Sequence, residues 1–309
     1  MLLLYNEQIK LRYIKEKNEE VVLPSNYLSA QFNKVSKFEI ELDKDVCNFT
    51  MYELIDYYKT LNVASLESLA VMNSHFSLYI YWCIQQNLVI DNINHAAEIT
   101  LEDLKGCLNK VLLEKKILSL EQILGFVEQL PNPKDQFVLL GLFEGIKGKS
   151  FCEFVHLKPE DIYDNELKLC TGRFIKVSDK LLQYAHDSIQ ETMYYSSTGT
   201  QTKTMTLVDR GYIIKDYPNT NPNNSEFAKG RVIYNSVTRS LNYVGVLQTV
   251  SANSVHESGK IHMIKQRAAA LNMSAKDYIY SDYIKEVEHQ FGCKIVRSNF
   301  WLKYEGCFS

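Results

Sequence analysis

Apolar residues recur at helical spacing along most of this chain, and strand-like sequence interrupts that periodicity in a few short stretches. Residues 167–170 and 174–177 are predicted to form two short strands joined by a turn at 171–173. The polar region 196–225 is predicted to be a loop that contains one hairpin at 204–215. These patterns together predict a mainly α fold with a small β-sheet, in the α+β class.

The chain has 309 residues, which is long enough for two ordinary domains. We predict an N-terminal arm with short helices over 1–47, a helical domain over 48–116 and a second domain over 117–309. Thr50 is followed three residues later by Glu53, a spacing that predicts a capped helix start. Three further single helices are predicted over residues 101–113, 179–195 and 274–291.

The apolar runs and the cysteines exclude several classes of protein. No run approaches the roughly 20 apolar residues that a membrane span needs, so we expect a cytoplasmic protein with no membrane partner. The seven cysteines are odd in number, scattered and never in CxxC spacing, which argues against a disulfide framework or a structural zinc site. We therefore expect buried thiols, no metal and no cofactor.

Charge is distributed unevenly along the chain, although the formal net charge is only -3. Residues 1–110 hold 10 Lys and Arg against 15 Asp and Glu, which leaves 24 basic and 22 acidic residues for 111–309. The basic charge therefore leans towards the second predicted domain. Composition alone leaves DNA binding as one option among many.

Three stretches carry the most distinctive combinations of residues. Residues 49–89 contain SLESL followed by YWC, residues 139–162 read LLGLFEGIKGKSFCEFVHLKPEDI, and residues 250–269 read VSANSVHESGKIHMIKQRAA. In that order they resemble the core-binding domain and the two arginine boxes of the tyrosine recombinase, or phage integrase, family. The resemblance implies a helical core-binding (SAM-like) domain over 48–116 and a catalytic-type domain over 117–309.

The chain departs from the family at the positions that carry the chemistry. Family members cleave DNA by attack of a tyrosine on a phosphodiester, while two arginines clamp the phosphate oxygens and His and Lys assist proton transfer. The resemblance places Lys147 at the first arginine position, Asn253 at the histidine position and His256 at the second arginine position. Neither lysine nor imidazole reproduces the planar, paired donors of a guanidinium, so we expect no cutting activity.

The position of the nucleophilic tyrosine is less sharply marked than the arginine boxes. By order along the chain Tyr304 is the best candidate, and Tyr280 and Tyr283 are the alternatives. A tyrosine without its clamp is a phenol with a pKa of about 10. We interpret Tyr304 as a packing or DNA-contact residue.

DNA binding can outlast the loss of cutting, because a lysine still attracts phosphate as a point charge. Besides the degenerate positions, the candidates are basic residues that the resemblance would place towards one concave face. The predicted DNA-binding set is Lys147, Lys149, Arg173, Lys229, Arg231, Arg239, Asn253, His256, Lys260, Lys265 and Arg267.

The leading hypothesis is a sequence-specific, DNA-binding transcriptional regulator, a prophage repressor that maintains lysogeny on an inactive recombinase scaffold. Its partner is double-stranded DNA at operator sites, and a second copy or a phage-encoded regulatory protein is a further candidate partner. The alternative is an active site-specific recombinase with divergent catalytic residues. A third reading is an adaptor that has lost DNA binding and acts through protein contacts.

Overall fold

The computed structural model describes residues 4–20, 25–63, 65–198 and 201–308. The chain divides into two compact units, Met1–Leu113 and Glu114–Ser309. Both are mostly helical, and the strands are confined to the second unit, so the predicted mainly α fold with a small β component is confirmed. None of the helices in these ranges combines the length and the apolar composition needed to cross a bilayer.

The first unit is built from helices that vary widely in length. They are α1 (Glu7–Glu20), α2 (Ser25–Leu42), α3 (Met51–Thr60), α4 (Leu66–Gln85), α5 (His95–Glu98), α6 (Leu101–Gly106) and α7 (Lys110–Lys116), the last of which crosses the boundary between the units. The predicted capping box is confirmed, because the Thr50 side chain accepts from the backbone of Glu53 and the Glu53 side chain accepts in return. The single helix predicted over 101–113 is wrong, since Asn109 Oδ1 accepts from Leu112 N at 2.9 Å and starts a new helix.

Aromatic side chains fill the core of the first unit. The rings of Phe32 and Tyr79 lie 4.9 Å apart, and those of Tyr13 and Tyr79 lie 5.1 Å apart, at the steep angles that favour edge contacts. Beside them Lys10 and Glu39, both fully buried, form an ion pair at 2.5 Å. Helices α1 and α2 thus supply part of this core. They have 14 and 18 residues, so they are longer than the short helices predicted for the N-terminal arm.

The second unit contains the remaining helices and all the strands of the described residues. The helices are α8 (Leu120–Gln129), α9 (Pro133–Glu144), α10 (Cys152–Val155), α11 (Asp179–Gln190), α12 (Glu226–Tyr243), α13 (Ala252–Ala270), α14 (Ala275–Tyr280), α15 (Ile284–Phe291) and α16 (Arg297–Tyr304). The strands are β1 (Ile162–Tyr163), β2 (Glu166–Lys168), β3 (Phe174–Lys176), β4 (Met193–Thr198) and β5 (Gln201–Thr206).

The almost wholly buried helix α9 lies at the centre of the second unit, packed against α8, α11, α12 and α13. Strands β1, β2 and β3 form an antiparallel sheet in which the buried Leu167 faces the buried Ile175. The two strands predicted around 171–173 are confirmed in slightly shorter form. The short strand β1 was not predicted.

Three boundaries in the second unit differ from the prediction. The helix predicted over 179–195 ends at Gln190, because Glu191 is extended and the chain enters β4. The hairpin lies at β4 and β5, so the hairpin predicted at 204–215 is wrong. The helix predicted over 274–291 is two helices, because Ser281 is extended and its Oγ accepts from Tyr283 N at 3.2 Å.

Helices α13 and α9 touch through their backbones at one point. A Cβ added at Gly259 would lie 1.7 Å from the backbone oxygen of Phe143. Only a residue without a side chain fits there, so Gly259 fixes where α13 crosses α9.

The cysteines are all free thiols. Four are buried as predicted, and these are Cys47, Cys83, Cys107 and Cys152. The prediction is wrong for Cys170, which is exposed because it lies in the turn between β2 and β3.

Candidate nucleic-acid interface

The turn that follows α9 holds Lys147 in a fixed position. Gly148 has a φ of 64°, and a Cβ there would lie 2.5 Å from Cys152 Sγ, so the turn requires glycine. The backbone N–H of Lys147 donates to Glu153 Oε2 at 2.8 Å. The Lys147 side chain is half-buried, whereas Lys149, two residues further on, is exposed.

Arg173 stabilises this turn through Glu153, and its side chain is only 13% exposed. Its guanidinium donates to both carboxylate oxygens of the buried Glu153, at 2.7 Å each. It also donates to the backbone oxygens of His289 and Gln290, again at 2.7 Å each. The fork of Arg173 is thus occupied inside the protein, as a guanidinium with several paired donors allows.

The first turn of α13 brings the second box to the Lys147 turn. Lys147 Nζ donates to Asn253 Oδ1 at 2.8 Å, and Asn253 is exposed. One turn further along α13, His256 is only 3% exposed and its ring meets that of Phe291 edge-on at 5.1 Å. The structure therefore brings Lys147 together with Asn253 and His256, which lie 106 and 109 residues further along the chain.

The imidazole of His256 is held neutral. Burial is the main cause, and the nearby charges of Lys260, Lys147 and Arg173 add to it, so that the pKa of His256 falls to about 2. Neither Nδ1 nor Nε2 has a hydrogen-bond partner among the described residues. A neutral, buried ring cannot clamp a phosphate as a permanently charged arginine does.

The pKa values of the two lysines next to His256 shift in opposite directions. Burial disfavours the charged form of Lys260, but the Glu257 carboxylate at 2.9 Å outweighs it, so the pKa of Lys260 lies above its ordinary value. Burial and then the charge of Lys260 lower the pKa of Lys147. Lys260 pairs with Glu257, whereas the ammonium of Lys147 donates to the exposed side chain of Asn253.

Tyr304 lies in the apolar packing of the C-terminal segment. It is 3% exposed, and its ring lies 4.9 Å from that of Phe300. The Lys303 ammonium lies 4.8 Å from the centre of the same ring. The Tyr304 side chain is thus buried among these neighbours, and its interpretation as a packing or DNA-contact residue stays a prediction.

The remaining predicted DNA-binding residues are not gathered at this point. On α12, Lys229, Arg231 and Arg239 line three different pockets. On α13, Lys265 is exposed, while Arg267 is paired with Glu286 at 2.7 Å.

Sequence reasoning missed the role of Glu153. Its carboxylate ties the Lys147 turn to Arg173 and also accepts from the hydroxyl of Thr171 at 2.7 Å. The signal was present, because Glu153 is a single charge inside the apolar run FCEFV. A buried charge within an apolar run implies a specific partner.

Comparison with known proteins supports a division of the chain into two parts. The family model described as "MrpR, N-terminal core-binding domain" matches residues 4–85, and "MrpR, C-terminal catalytic domain" matches residues 117–305. A core-binding domain followed by a catalytic-type domain defines a scaffold of the tyrosine recombinase class. Since the second match spans more than half of the sequence, the chain belongs to the MrpR family.

Individual proteins resemble the chain over nearly its whole length. The SPbeta prophage-derived uncharacterized protein YopR of Bacillus subtilis (strain 168) is 26% identical over 303 residues, which cover 93% of this chain and 91% of that protein. Among solved structures, a lambda integrase(75-356) dimer bound to a COC' core site has a TM-score of 0.47 at 12% identity, covering 95% of this chain and 94% of its own. The Tn1549 transposon integrase (aa 82-397) in complex with circular intermediate DNA has a TM-score of 0.44 at 13% identity, covering 96% and 94%.

Proposed function

We propose that this chain is a sequence-specific DNA-binding regulator, a prophage repressor that maintains lysogeny, and that it does not cut DNA. The observation that carries the proposal is the state of His256. At the position where the resemblance expects an arginine, the ring is buried, neutral and without a hydrogen-bond partner among the described residues. A phosphate transition state would find no charged fork there.

Binding has support from the charges that stay accessible. Lys147 reaches the exposed Asn253, and Lys149 is exposed on the same glycine-flanked turn. Ammonium groups at such positions attract phosphate without supplying the geometry for cleavage. The similarity to a prophage-derived protein supports a role in a prophage.

The binding half of the proposal is tested by gel shift. Purified full-length protein is titrated onto duplex DNA from upstream of prophage genes, and onto a shuffled duplex of equal length, over a series of salt concentrations. We expect tighter binding to the prophage DNA and an affinity that falls as salt rises, because phosphate contacts release counterions. Equal affinity for both duplexes, or affinity indifferent to salt, would contradict the proposal.

The non-cutting half is tested with suicide substrates. These are bound duplexes that carry a nick near the centre, so that any attack by a tyrosine traps a covalent protein–DNA adduct. We expect no adduct on denaturing gels. An adduct that forms with the wild type and disappears in Tyr304→Phe would overturn the proposal.

An active recombinase with divergent catalytic residues is the second candidate, and one observation favours it. The family model that matches residues 117–305 is described as a catalytic domain. The suicide-substrate experiment decides between the two candidates, because both predict DNA binding and only the recombinase predicts an adduct.

A further inference from the structure

A cavity in the second unit lies away from the candidate nucleic-acid interface. It is lined by the first turn of α9, the inner side of α12 and the segment that follows β5. Lys134 in that first turn and Lys147 lie at opposite ends of the 12-residue helix α9, which spans about 18 Å. The cavity volume is about 60 Å³, against roughly 10–15 Å³ for one bound water. A small polyatomic group fits it.

The lining of this cavity carries more positive than negative charge. Lys134, Arg210, Lys215 and Lys229 contribute four cations, and Asp216 contributes one carboxylate. That carboxylate is already committed, because Asp216 pairs with Arg210 at 2.8 Å. Lys215 pairs with Asp209 at 3.5 Å and donates to the backbone oxygen of Glu191 at 3.0 Å. Lys134 and Lys229 are then the lining cations that form no salt bridge within the described part of the chain.

Lys134 is the most informative of these cations. It is 2% exposed, and its Nζ reaches the backbone oxygen of Lys215 only at 3.5 Å. In the part of the chain that the structure describes, no carboxylate lies within 4.0 Å of it, and its ammonium lies 3.8 Å from the centre of the Tyr217 ring. A buried ammonium is costly unless an anion or several acceptors surround it.

Two carboxylates lie near Lys134 in the fold, and neither forms a salt bridge with its ammonium. Glu191 accepts from the backbone N–H of Lys134 at 3.3 Å through Oε2, its Oε1 has no hydrogen-bond partner among the described residues, and its charge interacts with that of Lys134 through space. Asp135 accepts from the Ser236 hydroxyl and from the amide of Asn132. The Lys134 ammonium therefore lines the cavity without a salt bridge of its own.

We propose that this cavity binds a small ligand that bears a phosphate monoester or is inorganic phosphate. The surplus of cations suits a dianion, and lysine and arginine donors in a concave, half-apolar site are the groups that recognise phosphate. Val138 and Ile214 on the walls limit the space for water around the bound anion. The proposal does not rest on DNA binding, because the site lies away from the Lys147 turn and shares one residue, Lys229, with the predicted DNA-binding set.

The test is a thermal-unfolding titration of the full-length protein at constant ionic strength. Inorganic phosphate and methyl phosphate are the probes, with chloride as the reference salt. A ligand that binds the folded state raises Tm in proportion to the logarithm of its concentration once that exceeds Kd. The variants are Lys134→Met, Lys229→Met at the edge of the cavity, and Lys285→Met, at an exposed position of α15, as the matched control.

We expect the Tm of the wild type and of Lys285→Met to rise with the logarithm of phosphate concentration, beyond any change in chloride of the same ionic strength, and at least ten-fold weaker phosphate affinity in the two cavity variants. If Lys134→Met does not fold, Lys229→Met decides. Absence of a phosphate effect beyond that of chloride, or equal affinity in Lys229→Met and Lys285→Met, overturns the proposal. A short duplex that abolishes the effect by competition also overturns it, because the cavity would then hold DNA diester phosphates.

Discussion

Two neighbouring polar regions of the second unit differ sharply in how completely their polar groups are hydrogen-bonded or ion-paired. Around Glu153 and Arg173, charge is matched by charge, and the remaining guanidinium donors meet backbone oxygens. Around His256, two ring nitrogens are buried without a partner among the described residues, and three cations lie close enough to depress its pKa. Both regions contact the same turn of chain, since Lys147 bonds Glu153 through its backbone and lies near His256.

The contrast separates buried charges that stabilise the scaffold from a buried imidazole that lacks hydrogen-bond partners among the described residues. Removing either partner from a buried ion pair whose hydrogen bonds are complete strongly lowers the free energy of unfolding. An unpartnered buried imidazole instead lowers stability, so its removal should be tolerated.

Arg173→Ala should lower the free energy of unfolding by about 3–5 kcal/mol, because it leaves the Glu153 carboxylate buried and unpaired. Urea unfolding followed by circular dichroism measures the change. Arg210→Ala is the matched control, since its pair with Asp216 is about one-third exposed on each side and should contribute about 1 kcal/mol or less. Equal losses in the two variants would remove the distinction between scaffold and surface charge.

His256 should make stability depend on pH. Its folded pKa lies below the ordinary value of 6.5, so the unfolded chain takes up a proton first as pH falls. The contribution of His256 to the free energy of unfolding is complete above pH 6.5 and is lost as pH falls towards 2. Between pH 7 and pH 5 the free energy of unfolding should fall by about 2 kcal/mol for this reason.

This dependence is measured as the difference between the wild type and His256→Leu in urea unfolding at pH 7 and pH 5. The difference is needed because burial raises the pKa of Glu39 and of Glu191 to about 7, and raised carboxyl pKa values stabilise the fold as pH falls. Parallel pH profiles for the two proteins would show that His256 is not held neutral.

At pH 7, His256→Leu should itself raise the free energy of unfolding by about 1 kcal/mol, because two unpaired polar atoms are replaced by an apolar group. His289→Leu is the control, since its Nε2 lies 3.0 Å from the backbone oxygen of Phe174 and that bond is lost. We expect opposite signs for the two changes. A loss of stability in His256→Leu as large as in His289→Leu would mean that the imidazole has a structural partner.

The smallest effect on stability is expected for Lys147→Gln, within about 0.5 kcal/mol, because its bond to Asn253 is exposed. In DNA binding, the substitution should reduce the slope of log affinity against log salt concentration by about 1, because about one fewer counterion is released. Fluorescence anisotropy on prophage DNA across a salt series measures the slope, with Lys285→Gln as control. An unchanged slope would show that Lys147 does not contact phosphate.

Local signals predicted much of the fold. The Thr50 and Glu53 capping box lies in the sequence itself, as do the apolar periodicity of α9 and the strand pair around residues 171–173. The end of α11 at Gln190 could not be predicted from local sequence, because the hydrogen bonds that favour β4 come from β5, across the hairpin. Pairing between segments overrides local propensity there.

The site was predictable only in part for the same reason. The resemblance brought Lys147, Asn253 and His256 into one hypothesis, and folding places them together. The role of Arg173 depends on Glu153, 20 residues away, and on carbonyls more than 110 residues away. A basic residue in a turn therefore looked like a surface contact, although its charge is used inside the protein.

The contact of Gly259 with Phe143 also bears on how this surface can evolve. Because no side chain separates the two backbones, α13 cannot slide along α9 or move closer to it, and the frame that carries both boxes keeps its spacing. Changes in the chemistry of this surface are then confined to the identity of a few side chains. Each can be exchanged by a point mutation without rebuilding the helices, so relatives with very different chemistry can share one inherited frame.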